Sequence, residues 1–202
     1  TGMDVLTHAV EGYTSRMHND FSDGMCLKAT ELVMKYLLRA YTDGSDAEAR
    51  EHMHNAATLG GLGFGNSQAA LAHAMGHSLG ALVKLAHGRA VSLFLPYTIE
   101  FTANGGDTRY GDLAHMMRLH THTELESARA VADKIRELQN AMNMPTTIAQ
   151  VGIPRDQFEE MLPRLIANAN MDTQLVMNIR VPESAELEKL FEYAYNGRRV
   201  DF

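Results

Sequence analysis

Residues 73–88 read His73-Ala-Met-Gly-His77-Ser-Leu-Gly-Ala-Leu-Val-Lys-Leu-Ala-His87-Gly88. His73 and His77 are four apart, so on a helix both imidazoles share one face. His87 lies fourteen residues beyond His73. On one straight helix that is ~21 Å of rise, far too much for the two to meet on one ion. If they coordinate together, the chain must turn between them, and Ser78, Gly80 and Gly88 mark where a break is expected. A fourth imidazole, His8, follows Asp4 by one helical turn. One carboxylate and two or three imidazoles suit Zn²⁺ or Fe²⁺, and also admit Mn²⁺, Co²⁺ or Ni²⁺. Against this, ten histidines in 202 residues produce chance pairs. A lone helical histidine is usually a surface or core residue. His52/His54 and His120/His122 are two apart and point to different faces. These pairs read as solvated or incidental, as do His18 and His115.

The rest of the chain repeats the helical period. Val5, Ala9, Tyr13 and Met17 recur near one face. Leu27, Leu32, Val33, Tyr36, Leu37 and Ala40 form a second stripe, with Asp20 or Ser22 as its expected cap and Thr42-Asp43-Gly44-Ser45 as its end. Ser45 or Asp46 opens a third segment, whose propensity but not period is interrupted by Gly60, Gly61, Gly63 and Gly65. This run is not G-x-G-x-x-G and follows no strand, so close packing is favoured over a phosphate cradle. An apolar segment with Pro96 inside it runs from His87 to about Thr102. The cluster Asn104-Gly105-Gly106-Asp107 stops it. Further helices are expected at 110–117, 124–143, 155–169 and 184–196. Pro154 and Pro182 fall near helix starts, where a missing N–H does no harm. Strand alternation and internal repeats are not seen, and the predicted class is all-α.

Composition narrows the function. Hydrophobic residues make up 45% and charged residues 21%, enough for a sizeable core and too ordered a mix for wholesale disorder. The net charge of −7 argues against nucleic acid or an anionic membrane as partner. The longest apolar runs, such as 91–97, are too short to span a bilayer. The single cysteine, Cys26, excludes an internal disulfide framework, reads as a buried small hydrophobe and suits a reducing, cytoplasmic setting. The chain enters a helical pattern directly at Thr1-Gly2-Met3-Asp4, as expected of a piece of a longer protein. Nothing about a leader segment follows from it.

Thr1-Gly-Met-Asp4-Val-Leu-Thr-His8-Ala-Val-Glu11-Gly-Tyr13 resembles the first signature of the iron-containing alcohol dehydrogenases. Gly63-Phe64-Gly65-Asn66, His73-Ala-Met-Gly-His77-Ser-Leu-Gly-Ala and His87-Gly-Arg-Ala-Val-Ser-Leu-Phe-Leu-Pro96 resemble the second, with the spacing of its three histidines intact. The motifs cover about a fifth of the chain. The resemblance implies the helical C-terminal domain of a dehydroquinate synthase-like fold, extending over 1–202. It implies a metal, Fe²⁺ or Zn²⁺, on Asp4, His8, His73 and His87. It places His77 near nicotinamide and substrate with a proton-relay role. Phe64 lines the substrate pocket, with a core aromatic as the alternative. Glu11 is either a partner behind the ligands or, as favoured from its spacing, a solvated or capping residue. The usual HG-x-AN stretch departs to His87-Gly-Arg89-Ala-Val, which alters local charge and keeps the ligand.

The implied activity is NAD(P)-dependent interconversion of a small alcohol and its aldehyde or ketone. The implied partner is an N-terminal α/β domain that holds most of the NAD(P) and is not among these residues, so the chain alone is expected to be inactive. Relatives are often dimers or larger, which makes a homodimer the expected assembly. The native alcohol, NAD against NADP, and iron against zinc are not legible. Two other readings compete. A helical phosphohydrolase prefers a vicinal His-Asp pair, and no such dipeptide occurs. The other is a stand-alone truncated helical metal-binding or assembly module without dehydrogenase activity.

Overall fold

The structure is a computed structural model that describes residues 1–106 and 108–202; Asp107, expected in the cluster that ends the apolar segment, lies outside the described residues. Among them, α-helices, two short 3-10 turns and no strand are found. The helices are α1 (Gly2–Thr14), α2 (Asp20–Thr42), α3 (Ala47–Ser67), α4 (Leu71–Val83), α5 (His87–Ala103), α6 (Tyr110–Met116), α7 (Glu124–Ala141), α8 (Arg155–Met171) and α9 (Ser184–Asn196). The all-α class expected from the periodicity is what the fold shows. None of these helices is long and apolar enough to cross a membrane.

Two helices lie at the centre, and their sequences say why. Every residue from Ala90 to Thr102 of α5 is buried, as are Val5, Leu6, Thr7 and all of Ala9–Thr14 in α1. A helix apolar all round must be covered all round. α1 packs against α2, α3 and α5, and α2 packs along α3. α4 folds back on α5, α7 covers α5 with α6 beside it, and α8 and α9 close over α4 and α5. Pro96 sits inside α5 and cannot donate to the Ser92 carbonyl one turn back. Gln139 of α7 supplies the missing donor, its Nε2 lying 2.6 Å from that oxygen. Beside it Glu100 is buried on α5, with its carboxylate forked onto Arg136 of α7 at 2.5 and 3.0 Å.

Local signals were read with small displacements. The cap of α2 is Asn19, whose side chain accepts from the Phe21 and Ser22 amides, while the Ser22 hydroxyl answers to the Asn19 N–H. The expected Ser22 is thus the second half of a capping box, and Asp20 is the first helical residue. Asp46 caps α3 through the Ala49 amide. The glycine run lies wholly inside α3, and packing accounts for two of its four glycines: a Cβ on Gly63 would stand 2.6 Å from Cys26 Sγ, and one on Gly60 3.2 Å from Val5 Cγ1, while Gly61 and Gly65 meet nothing within 4 Å. Cys26 is fully buried, as its spacing suggests, and burial pushes its thiol up to about 12. His18 is less incidental than its spacing implies: its Nδ1 lies 2.6 Å from Arg109, which also binds Asp23 and the Tyr13 hydroxyl.

The chain does turn between His73 and His87, at a residue between the expected Gly80 and Gly88. Ser78 and Gly80 stay inside α4, with the Ser78 hydroxyl on the Leu165 carbonyl. The break is at Lys84, in the left-handed region at φ 54° and ψ 35°. A side chain there is tolerated at a cost that α4–α5 packing outweighs. Gly76 sets how closely these helices approach. A Cβ on it would fall 2.6 Å from Val91 Cα and 2.8 Å from Val91 N.

Candidate metal centre

Asp4 and His8 stand one turn apart on α1, His73 is in the first turn of α4, and His87 is the first residue of α5. The α4–α5 reversal and the packing of α1 on α5 bring all four to one point. One donor atom from each lies within 4.8 Å of every other. Asp4 Oδ1 is 3.3 Å from His87 Nε2, 3.9 Å from His73 Nε2 and 4.0 Å from His8 Nδ1. A tetrahedral ion with ligands at about 2.0–2.1 Å holds its donors roughly 3.4 Å apart, so the spread suits a small divalent cation. Gly88 permits the approach: a Cβ there would lie 2.9 Å from Asp4 Cβ.

Two of these atoms expose the chemistry of the cluster. Asp4 Oδ1 and His73 Nε2 are buried and lack any hydrogen-bond partner. A buried carboxylate oxygen and ring nitrogen left unpaired cost free energy unless something else meets them. A cation between them would satisfy both. Burial, then the neighbouring His73, pushes His8 down to about 4, so its ring is neutral at pH 7. Burial also lowers His87, against the pull of Asp4. Burial works against charge on His73, but the Glu11 hydrogen bond together with the negative charges of Glu11, Asp4 and Asp172 holds the ring above its ordinary value. Imidazoles that lose or surrender a proton are the form that binds metals.

The aromatic surroundings fix the rings. Phe64 of α3 lies flat on His8, with centroids 4.1 Å apart and planes 8° apart. It is half-buried and forms one wall of the cluster. His8 stacks on His73 at 4.6 Å. His77, one turn beyond His73, does not join the four; it stacks on His87 at 5.2 Å and meets His73 edge-on at 5.6 Å. Its Nδ1 is 2.7 Å from an oxygen of Asp172, the residue that ends α8. Its side chain is 41% exposed, which gives the ring a way to solvent.

Two carboxylates complete the surroundings: Glu11, for which the less favoured expectation of a partner behind the ligands holds, and Asp172, which the sequence does not single out. Glu11 is not solvated: it is buried, and its oxygens accept from the Ala70 and Ala72 amides at 3.1 and 2.5 Å and face His73 Nδ1 at 2.5 Å. It does cap, but it caps α4 from another helix. Its place three residues after His8 was the only available signal. Asp172 had none, being 95 residues from its histidine.

The chain as a whole is similar to known proteins. Residues 1–195 match the family model described as Fe-containing alcohol dehydrogenase family, C-terminal. An NADPH-dependent butanol dehydrogenase of Clostridium saccharobutylicum is 35% identical over 202 residues, covering 100% of this chain and 52% of that protein. Alcohol dehydrogenase 4 of Schizosaccharomyces pombe is 34% identical over 196 residues, covering 96% and 44%. Among solved structures, a 1,3-propanediol oxidoreductase superposes with a TM-score of 0.90 at 30% identity, over 96% of this chain and 50% of that one. An alcohol dehydrogenase from Oenococcus oeni gives the same values. The chain thus spans about half the length of these relatives. In fold and sequence, the chain belongs to the Fe-containing alcohol dehydrogenase family and corresponds to its C-terminal part.

Proposed function

We propose that this chain is the metal-binding half of an NAD(P)-dependent alcohol dehydrogenase, with Fe²⁺ or Zn²⁺ held by Asp4, His8, His73 and His87. The observation that carries the reading is the pair of buried, partnerless atoms, Asp4 Oδ1 and His73 Nε2, within a set of four donors. A divalent cation bound there supplies Lewis-acid polarisation of an alcohol or carbonyl oxygen. Three neutral imidazoles and one carboxylate cancel only one of its two charges, which keeps the site electrophilic.

The remaining roles belong to side chains of this chain. Asp172 accepts the His77 Nδ1–H, which leaves Nε2 as the ring atom that takes up or hands on a proton. The exposed edge of His77 carries that proton to solvent. Phe64 holds the His8 ring by stacking and presents an apolar wall to a small alcohol or aldehyde. In α3, Gly60 and Gly63 serve packing while Gly61 and Gly65 meet nothing within 4 Å, and the run lies within a helix with no strand before it among the described residues. The NAD(P) is therefore proposed to sit mainly on a separate α/β domain, with His77 and Phe64 reaching its nicotinamide end. The length of the relatives, about twice that of this chain, supports this division. A homodimer acting in the cytoplasm completes the proposal.

The test is cofactor reduction with primary and secondary alcohols and added Fe²⁺ or Zn²⁺. It is run on the chain alone and on the chain fused to the preceding domain of a relative such as the butanol dehydrogenase. Negligible turnover alone and clear turnover in the fusion are expected. Robust NAD(P)H production by the chain alone would refute the division of labour. A metal-loaded fusion that reduces no cofactor would refute the dehydrogenase reading.

A further inference from the structure

Glu11 is the most heavily engaged buried carboxylate near the centre and is not one of the four converging donors. Its two oxygens meet three donors: the Ala70 amide, the Ala72 amide and His73 Nδ1. α4 begins on Ala70, which offers no side-chain cap of its own. The first-turn amides of a helix need acceptors, and a carboxylate is the preferred one. A carboxylate oxygen is an acceptor only, so the proton of this contact sits on His73 Nδ1. The ring nitrogen on the other side, Nε2, is the one that is buried without a partner and faces Asp4 Oδ1.

We infer that Glu11 is a positioning residue for the metal: one carboxylate nucleates α4 and at the same time fixes the His73 proton on Nδ1, so that the Nε2 lone pair faces the cation. This rests on the proposed metal site and goes further, because it makes the entry of α4 and the readiness of its ligand a single event. A histidine ligand held through its other nitrogen has its tautomer set and its basicity raised. Here the holding group is also the helix cap, so the one buried carboxylate orients both the start of α4 and the ring of His73. Asp172 contacts His77 Nδ1 in the same manner, but the ring it holds is exposed and it makes no contact with the first-turn amides of α4.

Glu11→Gln separates a structural role from a positioning one. The amide keeps the size and one acceptor, which serves the Ala72 N–H, while the Ala70 N–H, which shares the other oxygen with His73, loses its acceptor. Its NH₂ then faces His73 Nδ1, and the ring answers by accepting there and carrying its proton on Nε2. The metal-facing atom becomes a donor. Affinity for Zn²⁺ and Co²⁺ is measured by competition with a chromogenic chelator on the 202-residue chain, with far-ultraviolet circular dichroism as the control for folding. The expected result is a loss of about 10–100-fold in metal affinity with the helical spectrum retained, and partial recovery in Glu11→Asp, which restores the acceptor one methylene short. A measurement that needs no variant is the ¹⁵N signature of the His73 ring in the Zn²⁺-loaded wild type, expected to show the proton on Nδ1 and the metal on Nε2. Wild-type affinity in Glu11→Gln, or a ring coordinated through Nδ1, would overturn the inference while leaving the metal site standing. Failure of the wild-type chain to bind either ion would instead remove the site on which it depends.

Discussion

Gly76→Ala tests the geometry that brings the histidines together. The added Cβ would lie 2.6 Å from Val91 Cα, 2.7 Å from its Cγ1 and 2.8 Å from its N. Two of these atoms are backbone and cannot rotate away. An ordinary carbon contact is about 3.5–4.0 Å, so α4 and α5 must separate by roughly 1 Å. Overpacking of this kind costs about 1–3 kcal/mol. At about 2–4 °C per kcal/mol for a chain of this size, the melting midpoint should fall by about 2–12 °C. Gly76 is three residues after His73, and Val91 is four after His87, so the displacement acts within a turn of both rings. Ligand distances are tolerated to about 0.2 Å, and metal affinity should fall roughly tenfold or more. Thermal melts in a chelator give the first number, and chelator competition with Zn²⁺ gives the second. Gly24→Ala is the matched control. Gly24 is exposed in α2, a Cβ there meets nothing within 4 Å, and the change should stabilise by about 0.5–1 kcal/mol. If Gly76→Ala melts and binds metal like the wild type, the claim that this glycine sets the α4–α5 spacing is wrong.

Other expectations are more quickly stated. Glu100→Gln leaves Arg136 with half its fork in a largely buried place, and urea unfolding should show a loss of about 3–5 kcal/mol; a loss under 1 kcal/mol would show that the pair is dispensable. Cys26 is buried with its thiol raised to about 12, so a thiol reagent at pH 8 should leave the native chain unmodified and label it once in denaturant. Rapid labelling of the native chain would mean that the α1–α2–α3 contact opens readily. His77→Ala should leave metal affinity within about threefold of wild type, because the ring lies beside the four donors and supplies none of them; chelator competition checks it.

The sequence carried more of this than one chain usually does, for reasons that differ between residues. Asp4 and His8, and His73 and His77, are one turn apart, so the helix itself brings each pair to one face. The separation of His73 and His87 forces a reversal on grounds of length alone. The position of that reversal was not legible. It falls at Lys84, where tertiary packing imposes a left-handed residue with no glycine to announce it. Pro96 reads as lying inside its segment, but what accommodates it there was not legible: Gln139, 43 positions later, satisfies the Ser92 carbonyl. Glu11 and Asp172 show the same limit at the site. Their partners are 62 and 95 residues away, and no local spacing distinguishes a carboxylate that grips a histidine from one facing water. Close packing at the α3 glycines was legible for Gly60 and Gly63 but not for Gly61 and Gly65, which meet nothing within 4 Å, and the contact with Cys26 was not legible.

The most direct measurement is the metal content of the purified chain, by elemental analysis without chelator, for the wild type and for His73→Ala, His87→Ala and His77→Ala. One cation gathered by Asp4, His8, His73 and His87 predicts about one equivalent of iron or zinc in the wild type, a sharp loss in His73→Ala and His87→Ala, and retention in His77→Ala. A wild-type chain that holds no transition metal, even after incubation with Fe²⁺ or Zn²⁺, or an equal loss in all three variants, would contradict it.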